Sequence, residues 1–276
     1  MTFSLAAYLD RIGFKSIPEV DLATLSAVQR AQIDTIAFEN IDVLLGRLPA
    51  LEPEAVWTKL VTSYRGGWCL ELNALFGQAL SEIGFDARPV LGRVRMGASE
   101  GGPRAHHAFI VTIDGEAFLA DTGFGGPGPR IPVRLGTVEP QVLAGETYRV
   151  RSDARSGETV LEKQTGDAWF SLYGFDLMPV APIDYVAANV VCARWDLSPF
   201  PRHLMMTIGT RTGRLNLFDT HGKWVHGARE EEFEITSEAM LAEILATEFR
   251  IALPPQTVSA IWQRIALPAG ARRLSA

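Results

Sequence analysis

The spacing of apolar residues divides the chain into a helical first part and a β-rich middle part. Up to about residue 86, apolar side chains recur every three or four positions, as they do along one face of an α-helix. We expect helices there that start and stop at characteristic residues. The predicted ends are Ser4 and Gly13 for the first helix, Asp21 for the start of the second, Pro53 for the start of the third, and Cys69 and Gly84 for the fourth.

From about residue 87 the pattern changes to short apolar or alternating runs separated by turn residues, which is typical of strands. These runs are RPVLGRVRM, HHAFIVTI, EAFLADTG, QVLAGETYRVR and DAWFSLYGF. Such a series indicates an antiparallel sheet or barrel. After it we expect a helix beyond Pro182, the strands LMMTIGT and LNLFDT around a Thr-Gly turn, a helix capped by Ser237 and a last helix over 255–265.

The order is therefore helical, then β, then mixed α/β, and it predicts an α+β protein. We place a helical bundle at 1–86, an antiparallel β-barrel at 87–193 and an α/β region at 194–276. A chain of 276 residues with 47% hydrophobic residues has enough apolar surface for such cores.

The composition of the chain argues against several classes of protein. The net charge of -6 and the scattered basic residues argue against a nucleic-acid binder. The chain has no apolar run of the ~20 residues that a membrane helix needs. The segment MTFSLAAYLDRIGF is interrupted by Asp10 and Arg11, so we interpret it as part of the fold and not as a signal peptide. Two cysteines in a chain this long favour a reducing, cytoplasmic location.

The stretch RGGWCLELNALFG places Cys69 at a predicted helix start, directly after Gly66, Gly67 and Trp68. The free N–H groups and the dipole of a helix start stabilise an anion, so we expect the thiol pKa to be lowered there. The glycines allow a substrate to approach the backbone closely. Taken alone, a single cysteine is more often a small buried residue. A nucleophilic thiol also needs a base.

The base is expected in the segment AHHAFIVTIDGEAFLADTGFGG, where Asp114-Gly115 predicts a two-residue hairpin loop. That register places Ile113 opposite Glu116, so His106 projects on the same face as Asp121 and lies diagonal to it. Asp121 then orients the His106 ring for work on Cys69. A bulge or a longer loop would exchange the two faces of the strand, and His107 would then lie on the same face as Asp121 instead. We expect no metal, because adjacent strand histidines diverge and no Cys-x-x-Cys pair is present.

At these residues the sequence resembles the arylamine N-acetyltransferase family. The stretches that carry the resemblance are AFENIDVLLG, RGGWCLELN, the segment from His106 to Asp121, ADTGFGG, YLDRIGF and SPF. The resemblance implies a cysteine-protease-like core: a helical bundle that supplies the cysteine, a β-barrel that supplies the histidine and aspartate, and an α/β lid at 194–276. It also implies a Cys69–His106–Asp121 triad and a role in xenobiotic metabolism.

The implied substrates are acetyl-CoA, as a co-substrate, and an aromatic amine or hydrazine, in a monomer or homodimer. Ping-pong kinetics would follow from an acetyl-Cys69 intermediate. Candidates for the amine pocket are Phe124, Phe38, Trp68 and Phe200, with core packing as the alternative for Phe38 and Phe200. Candidates for the cofactor site are Gly125, Gly126 and Arg104, although a mobile surface loop is the more ordinary interpretation of Arg104.

The chain departs from the family pattern at Ala105, where Thr or Ser is common, and at Thr122, where Val is common. We expect Thr122 to add polarity behind the triad. Arg65 and Glu39 are expected to form a buried ion pair that holds the cysteine loop.

Three other functions remain open on the sequence alone. An amide synthase of the same family would use the same triad without acetyl-CoA. A papain- or transglutaminase-like hydrolase would use it with water as the acceptor. A non-catalytic ligand-binding protein would keep the residues without their chemistry.

Overall fold

The computed structural model describes residues 3–227 and 229–266, which form helices and two antiparallel sheets. Helix α4 continues into a π-helical turn at Thr58–Thr62. The helices are α1 Leu5–Ile12, α2 Leu22–Thr35, α3 Ile41–Leu44, α4 Pro53–Trp57, α5 Cys69–Ile83, α6 Pro182–Arg194, α7 Glu238–Thr247 and α8 Pro255–Ile265.

The strands of the described residues belong to an eight-stranded and a five-stranded sheet. The first consists of β2 Asp86–Val94, β3 Arg104–Ile113, β4 Glu116–Ala120, β5 Val133–Arg134, β6 Gln141–Leu143, β7 Glu146–Asp153, β8 Glu158–Thr165 and β9 Ala168–Phe175. The second consists of β1 Phe38–Glu39, β10 Met205–Gly209, β11 Arg214–Phe218, β12 His221–His226 and β13 Arg229–Glu234.

The helix ends lie where the sequence predicts them. Ser4, Asp21 and Ser237 each accept a hydrogen bond from the backbone N–H three residues ahead, at 3.4, 2.7 and 3.2 Å. Gly13 and Gly84 end α1 and α5 in the left-handed conformation. These caps satisfy backbone groups that a helix leaves without intrahelical partners.

The hairpin between β3 and β4 has the predicted register. Ile113 pairs with Glu116, and Ile110 pairs with Leu119. The loop residues Asp114 and Gly115 have φ values of +50° and +78°, as a type I′ turn requires. The loop therefore determines which side chains of β3 and β4 share a face.

The eight-stranded sheet curls into a nearly closed barrel with the strand order β5-β4-β3-β2-β9-β8-β7-β6. Its two edges are joined by the Gln141 side chain, whose Oε1 accepts from the Arg134 N–H and whose Nε2 donates to the Arg134 carbonyl, both at 2.9 Å. The predicted antiparallel sheet or barrel is confirmed. One core cluster fills it: Val90, Ala108, Leu119, Val133, Tyr148, Val150, Leu161, Leu172, Tyr173 and Phe175.

The pattern of apolar residues does not predict strands β8 and β13, because both contain several charged side chains. In the structure these side chains are paired within the fold. On β8, Glu158 forms an ion pair with Arg95 at 2.6 Å, and Glu162 binds Arg149 at 2.7 Å. On β13, Glu230 pairs with Lys223 of the neighbouring strand at 2.5 Å. Ion pairs between neighbouring strands stabilise the sheet here, in place of the alternating apolar and polar residues that mark an ordinary strand.

The five-stranded sheet packs with α7 and α8 around a second apolar core. Its edge strand β1 comes from the N-terminal part of the chain, where Phe38 pairs with Thr207 and Glu39 with Met206 of β10. Phe38 also forms a parallel bridge with Gly67, in the loop before Cys69. The cysteine loop and the five-stranded sheet are thus bonded to the same two residues.

The α+β class with helices, a barrel-like sheet and an α/β C-terminal part is confirmed. The division at 1–86, 87–193 and 194–276 stays a prediction, and 267–276 lie outside the described residues. Among the described residues, no helix has the length and hydropathy to cross a membrane.

Replacing Gly115 by Ala is expected to lower the free energy of unfolding by about 1 kcal/mol, because an L side chain is strained at positive φ. The loss comes from the backbone alone, since a Cβ at Gly115 would meet no atom within 4 Å. Urea unfolding measures it. Gly102→Ala is the control, where a Cβ would meet its nearest atoms at ordinary contact distances of 3.9 and 4.0 Å. Equal losses in the two variants would contradict the turn assignment.

Candidate active site

Cys69 is the first residue of α5, at the end of a loop that the two glycines allow to pack tightly. A Cβ on Gly66 would lie 2.3 Å from the Ala37 carbonyl oxygen. That same oxygen accepts a hydrogen bond from the Gly67 N–H at 3.1 Å. Close approach at Gly66 is therefore made by the protein's own backbone, and not by a substrate as the sequence suggested. The glycines serve to position the cysteine.

The structure brings Cys69, His106 and Asp121 together in a buried cluster. His106 Nε2 lies 2.7 Å from Asp121 Oδ2, and the two side chains are 2% and 0% exposed. Cys69 lies close enough to His106 for the ring to act on its pKa, and because Nε2 faces Asp121, Nδ1 is the ring nitrogen left for the thiol. His107 lies elsewhere, with its Nε2 3.3 Å from the Tyr185 hydroxyl. The hairpin register thus separates the two histidines as expected.

The Asp121 carboxylate is held by three further contacts, and the Asp121 backbone by one. Asn73 Nδ2 and the Gly123 N–H donate to Oδ1 at 2.9 and 2.8 Å. The Tyr173 hydroxyl donates to Oδ2 at 2.9 Å. The Asp121 backbone N–H donates to Gln29 Oε1 at 3.2 Å. Burial alone would raise the pKa of Asp121, but His106 and these donors lower it below its usual value, so the carboxylate stays ionised.

Sequence reasoning missed Tyr173 and Asn73 as members of this cluster. Asn73 lies one helical turn after Cys69, and that spacing on α5 is a usable signal, since residues four apart share a helix face. Tyr173 comes from β9, which neighbours β2 in the barrel, and its ring centroid is 4.6 Å from that of His106. No local pattern predicts that strand pairing.

The ionised Asp121 controls the proton on His106. Burial disfavours an imidazolium, but Asp121 and Cys69 outweigh it and raise the pKa of His106 to about 10. The prediction that the helix start lowers the thiol pKa is wrong: burial raises the pKa of Cys69, and His106 opposes the rise by its hydrogen bond and charge. Ionisation of the thiol therefore depends on the ring beside it, and less on the helix dipole.

Thr122 does add polarity behind the triad. Its N–H donates to Asn73 Oδ1 at 3.0 Å, and its hydroxyl oxygen accepts from Gln32 Nε2 at 2.8 Å. Gln32 in turn accepts from the Tyr8 hydroxyl at 2.7 Å. A buried chain of hydrogen bonds thus connects α1 and α2 with the amide that holds Asp121. Such a chain specifies one orientation for the Asn73 side chain.

The predicted ion pair between Arg65 and Glu39 is present. Arg65 Nη2 lies 2.5 Å from Glu39 Oε1, and the Glu39 side chain is completely buried. The other oxygen of Glu39 accepts from the Ile41 N–H at 2.6 Å. Lys59 extends the cluster by binding Glu71 at 2.8 Å, and Glu71 accepts from the Trp68 N–H at 3.1 Å. These charges fix the residues on both sides of Gly66 and Gly67.

A cavity of about 570 Å³ opens beside Cys69 and His106. Among the residues proposed for an amine pocket, Phe124, Phe38 and Phe200 line it. Phe124 stands against the His106 ring at a centroid distance of 5.1 Å. Trp68 is 1% exposed and packs behind Phe200, with centroids 5.7 Å apart. The wall nearest the triad is therefore aromatic.

The cofactor candidates lie at different places. Gly126 lines the cavity, but its N–H donates to Thr207 Oγ1 at 2.9 Å, so this amide already has an acceptor. Gly125 is the neighbouring residue of the same loop. Arg104 forms an ion pair with Asp176 at 3.0 Å. Their contacts with a cofactor stay predictions.

The lining of the cavity also includes cations that the sequence did not single out, Lys163, Arg214 and Lys223, and each of them is paired with a glutamate. Such side chains suit the phosphates of a large anionic ligand. Within 3–227 and 229–266, no group of three or more His, Cys, Asp or Glu side chains is arranged to hold a metal ion.

Comparison with known proteins places this arrangement in a family. A family model described as N-acetyltransferase matches residues 21–258. The chain is 34% identical to the arylamine N-acetyltransferase of Escherichia coli over 90% of this chain and 89% of the relative. It is 33% identical to that of Mycolicibacterium smegmatis over 92% of this chain and 94% of the relative.

Solved structures agree. The arylamine N-acetyltransferase from Salmonella typhimurium superposes with a TM-score of 0.90 at 31% identity, covering 95% of this chain and 99% of the other. The Mycobacterium marinum enzyme in complex with CoA gives a TM-score of 0.87 at 29% identity, covering 95% and 99%.

Replacing Arg65 by Met is expected to lower the free energy of unfolding by about 3 kcal/mol, because Glu39 is left as a buried charge without its partner. Chemical denaturation measures the loss. Lys15→Met is the control, since it breaks an exposed pair with Asp10 at 3.1 Å and exposed pairs contribute little. A loss no larger than that of the control would refute the structural role of the pair.

The stability difference between the protein and its Asp121→Asn variant is expected to depend on pH. The imidazolium of His106 stabilises the fold fully below its unfolded pKa of 6.5, and this stabilisation is lost as pH rises through about 10. The difference in unfolding free energy should therefore shrink between pH 6.5 and about 10. Taking the difference between the two proteins cancels the pH dependence of stability that other buried groups, such as Glu71, contribute to both. A difference that stays constant over this range would contradict the charge pair.

Proposed function

This chain belongs to the arylamine N-acetyltransferase family, and from that premise we propose that Cys69 carries the acetyl group between its two substrates. The enzyme transfers an acetyl group from acetyl-CoA to an aromatic amine or hydrazine. One observation above all supports the proposed role of Cys69: it lines a cavity of about 570 Å³ together with His106, whose Nε2 lies 2.7 Å from Asp121.

In the first half-reaction, the Cys69 thiolate attacks the thioester carbonyl of acetyl-CoA. The ring of His106 holds the proton that the thiol has given up, and Asp121 stabilises the resulting imidazolium. Collapse of the tetrahedral intermediate releases CoA, whose sulfur takes the proton from His106, and leaves acetyl-Cys69 beside a neutral ring. One thioester replaces another, so the step has little net change in free energy.

In the second half-reaction, the amine attacks the acetyl group and His106 accepts its proton. Proton transfer by a positioned side chain contributes about 10²–10⁴-fold to a rate. The N–H groups in the first turn of a helix have no intrahelical acceptor, so we assign the Cys69 N–H, at the start of α5, to the oxyanion in both steps.

The residues that line the cavity suit the two substrates. Phe124, Phe38 and Phe200 form an aromatic wall beside the triad, where a flat amine would lie against Cys69. The cations of β8, β11 and β12 line the same cavity together with Gly126, and the CoA phosphates would replace the glutamates that these cations now bind. Trp68 supports the wall from behind Phe200.

We further propose a cytoplasmic location, which is supported by the free state of both cysteines. A role in xenobiotic metabolism is proposed with it, since an aromatic cavity of this size accepts many flat amines.

Incubation with acetyl-CoA is expected to add one acetyl group to Cys69, and a subsequent aromatic amine is expected to remove it. Intact-mass measurement and peptide mapping detect both steps. Cys69→Ser should take up no acetyl group. The adjacent histidines provide a matched pair, because His106→Gln should slow acetylation by about 10²-fold or more, whereas His107→Gln keeps the triad and should acetylate much faster than His106→Gln.

Acetylation at any other residue, or equal rates in the two histidine variants, would refute the proposed triad. Acetyl-Cys69 that is discharged by water as fast as by the amine would indicate a hydrolase. Failure of acetyl-CoA to label a protein that a different acyl thioester does label would indicate an amide synthase.

A further inference from the structure

The two cysteines of the chain converge on a single carbonyl oxygen. Cys69 Sγ lies 3.8 Å from the Ala105 oxygen, and Cys192 Sγ lies 3.9 Å from the same atom. The two sulfurs are therefore no further apart than the sum of those distances. Both residues line the cavity beside the triad, and both thiols are free. Nothing in acetyl transfer calls for the second thiol.

The two thiols are chemically unequal. Burial raises the pKa of the Cys69 thiol, but His106 beside it opposes that rise. Cys192 lies in the last turn of α6, where burial raises the pKa of its thiol to about 12. Cys69, with a histidine beside it to accept its proton, is therefore the more readily ionised of the two thiols. Thiolates are oxidised much more readily than thiols, so an oxidant entering the cavity reacts at Cys69 first.

We propose that Cys192 is the resolving thiol for oxidised Cys69, and that a hydroperoxide converts the pair into an intramolecular disulfide. The inference rests on the proposed function of Cys69 as the reactive thiolate. It assigns to Cys192 a modification that spares the nucleophile from irreversible oxidation to the sulfinic and sulfonic acids.

The reaction has two balanced steps. The Cys69 thiolate attacks the terminal oxygen of the hydroperoxide, the O–O bond breaks, and the alcohol (or water) leaves with the proton from His106, so that Cys69 becomes a sulfenic acid. The Cys192 sulfur then attacks Cys69 Sγ. The S–O bond breaks, the S–S bond forms, and the proton of Cys192 joins the leaving hydroxide as water. The dithiol loses two electrons and the peroxide gains them.

The positions of the two residues make the second step geometrically accessible. Cys69 begins a helix and Cys192 lies near the end of another, so neither sulfur is confined within the middle of a helix. In the proposed step, both side chains rotate about their Cα–Cβ bonds so that the sulfurs turn from the shared carbonyl toward each other, because a disulfide has a specific geometry. An acetyl group on Cys69 occupies the sulfur and prevents the first step.

The test is a hydrogen peroxide titration of the reduced protein, followed by alkylation of the remaining thiols, intact-mass measurement and peptide mapping. The expected product lacks two hydrogens, incorporates no alkyl group and yields a peptide in which Cys69 and Cys192 are cross-linked. Dithiothreitol should restore most of the acetyltransferase activity. Prior incubation with acetyl-CoA should suppress the cross-link.

Cys192→Ser is expected to gain oxygen atoms on Cys69 and to recover little activity with dithiothreitol. Cys192→Ala should give the same result as Cys192→Ser, which would show that the effect comes from loss of the thiol and not from a folding defect in one variant. Cys69→Ser should leave Cys192 unoxidised. Oxygen addition to Cys69 in the unaltered protein without a cross-linked peptide, or equal recovery with and without Cys192, would overturn the proposal. The cross-link is detected by mass and does not depend on acetyl transfer. A protein that forms the cross-link but takes up no acetyl group would therefore refute the proposed function and leave this inference standing.

Discussion

The contact between His106 and Asp121 is the interaction on which the active site depends. Both side chains are buried, and a buried carboxylate is stable only when charge and hydrogen bonds replace its hydration. Here an imidazolium, an amide, a hydroxyl and a backbone N–H supply that replacement. The carboxylate then stabilises charge on the ring, and the ring makes it possible for the thiol of Cys69 to ionise against the effect of burial.

The groups that meet at this contact come from separate parts of the fold. The barrel contributes His106 on β3 and Asp121 just after β4, while α5 contributes Cys69 and Asn73. Asn73 donates to Asp121 and also to the His107 carbonyl at 2.6 Å, so one helix side chain aligns the helix with both strands. Asn73 thus fixes the helix that carries Cys69 against the strand that carries His106, and the separation of these two residues does not depend on a flexible connection.

Much of this arrangement follows from local sequence. The hairpin loop at Asp114-Gly115 dictates which histidine faces Asp121, and the cap residues dictate where the helices begin. Residues that act through strand pairing could not be predicted in the same way. Tyr173 reaches Asp121 only because β9 lies beside β2, a pairing that joins residues far apart in sequence. The strands β8 and β13 were missed because their charged residues are neutralised by partners elsewhere in the chain. The thiol pKa was misjudged because burial opposes the helix dipole.

The two residues of β1 have a mechanical consequence. Phe38 and Glu39 pair with β10 on one side, and on the other side the Glu39 N–H and the Ala37 carbonyl hydrogen-bond with the main chain of Gly67. Main-chain bonds are indifferent to side-chain identity. Substitutions in the C-terminal sheet can therefore change the residues that line the cavity. The main-chain bonds still keep that sheet in the same position relative to Cys69. New amine preferences can evolve on this scaffold without rebuilding the chemistry.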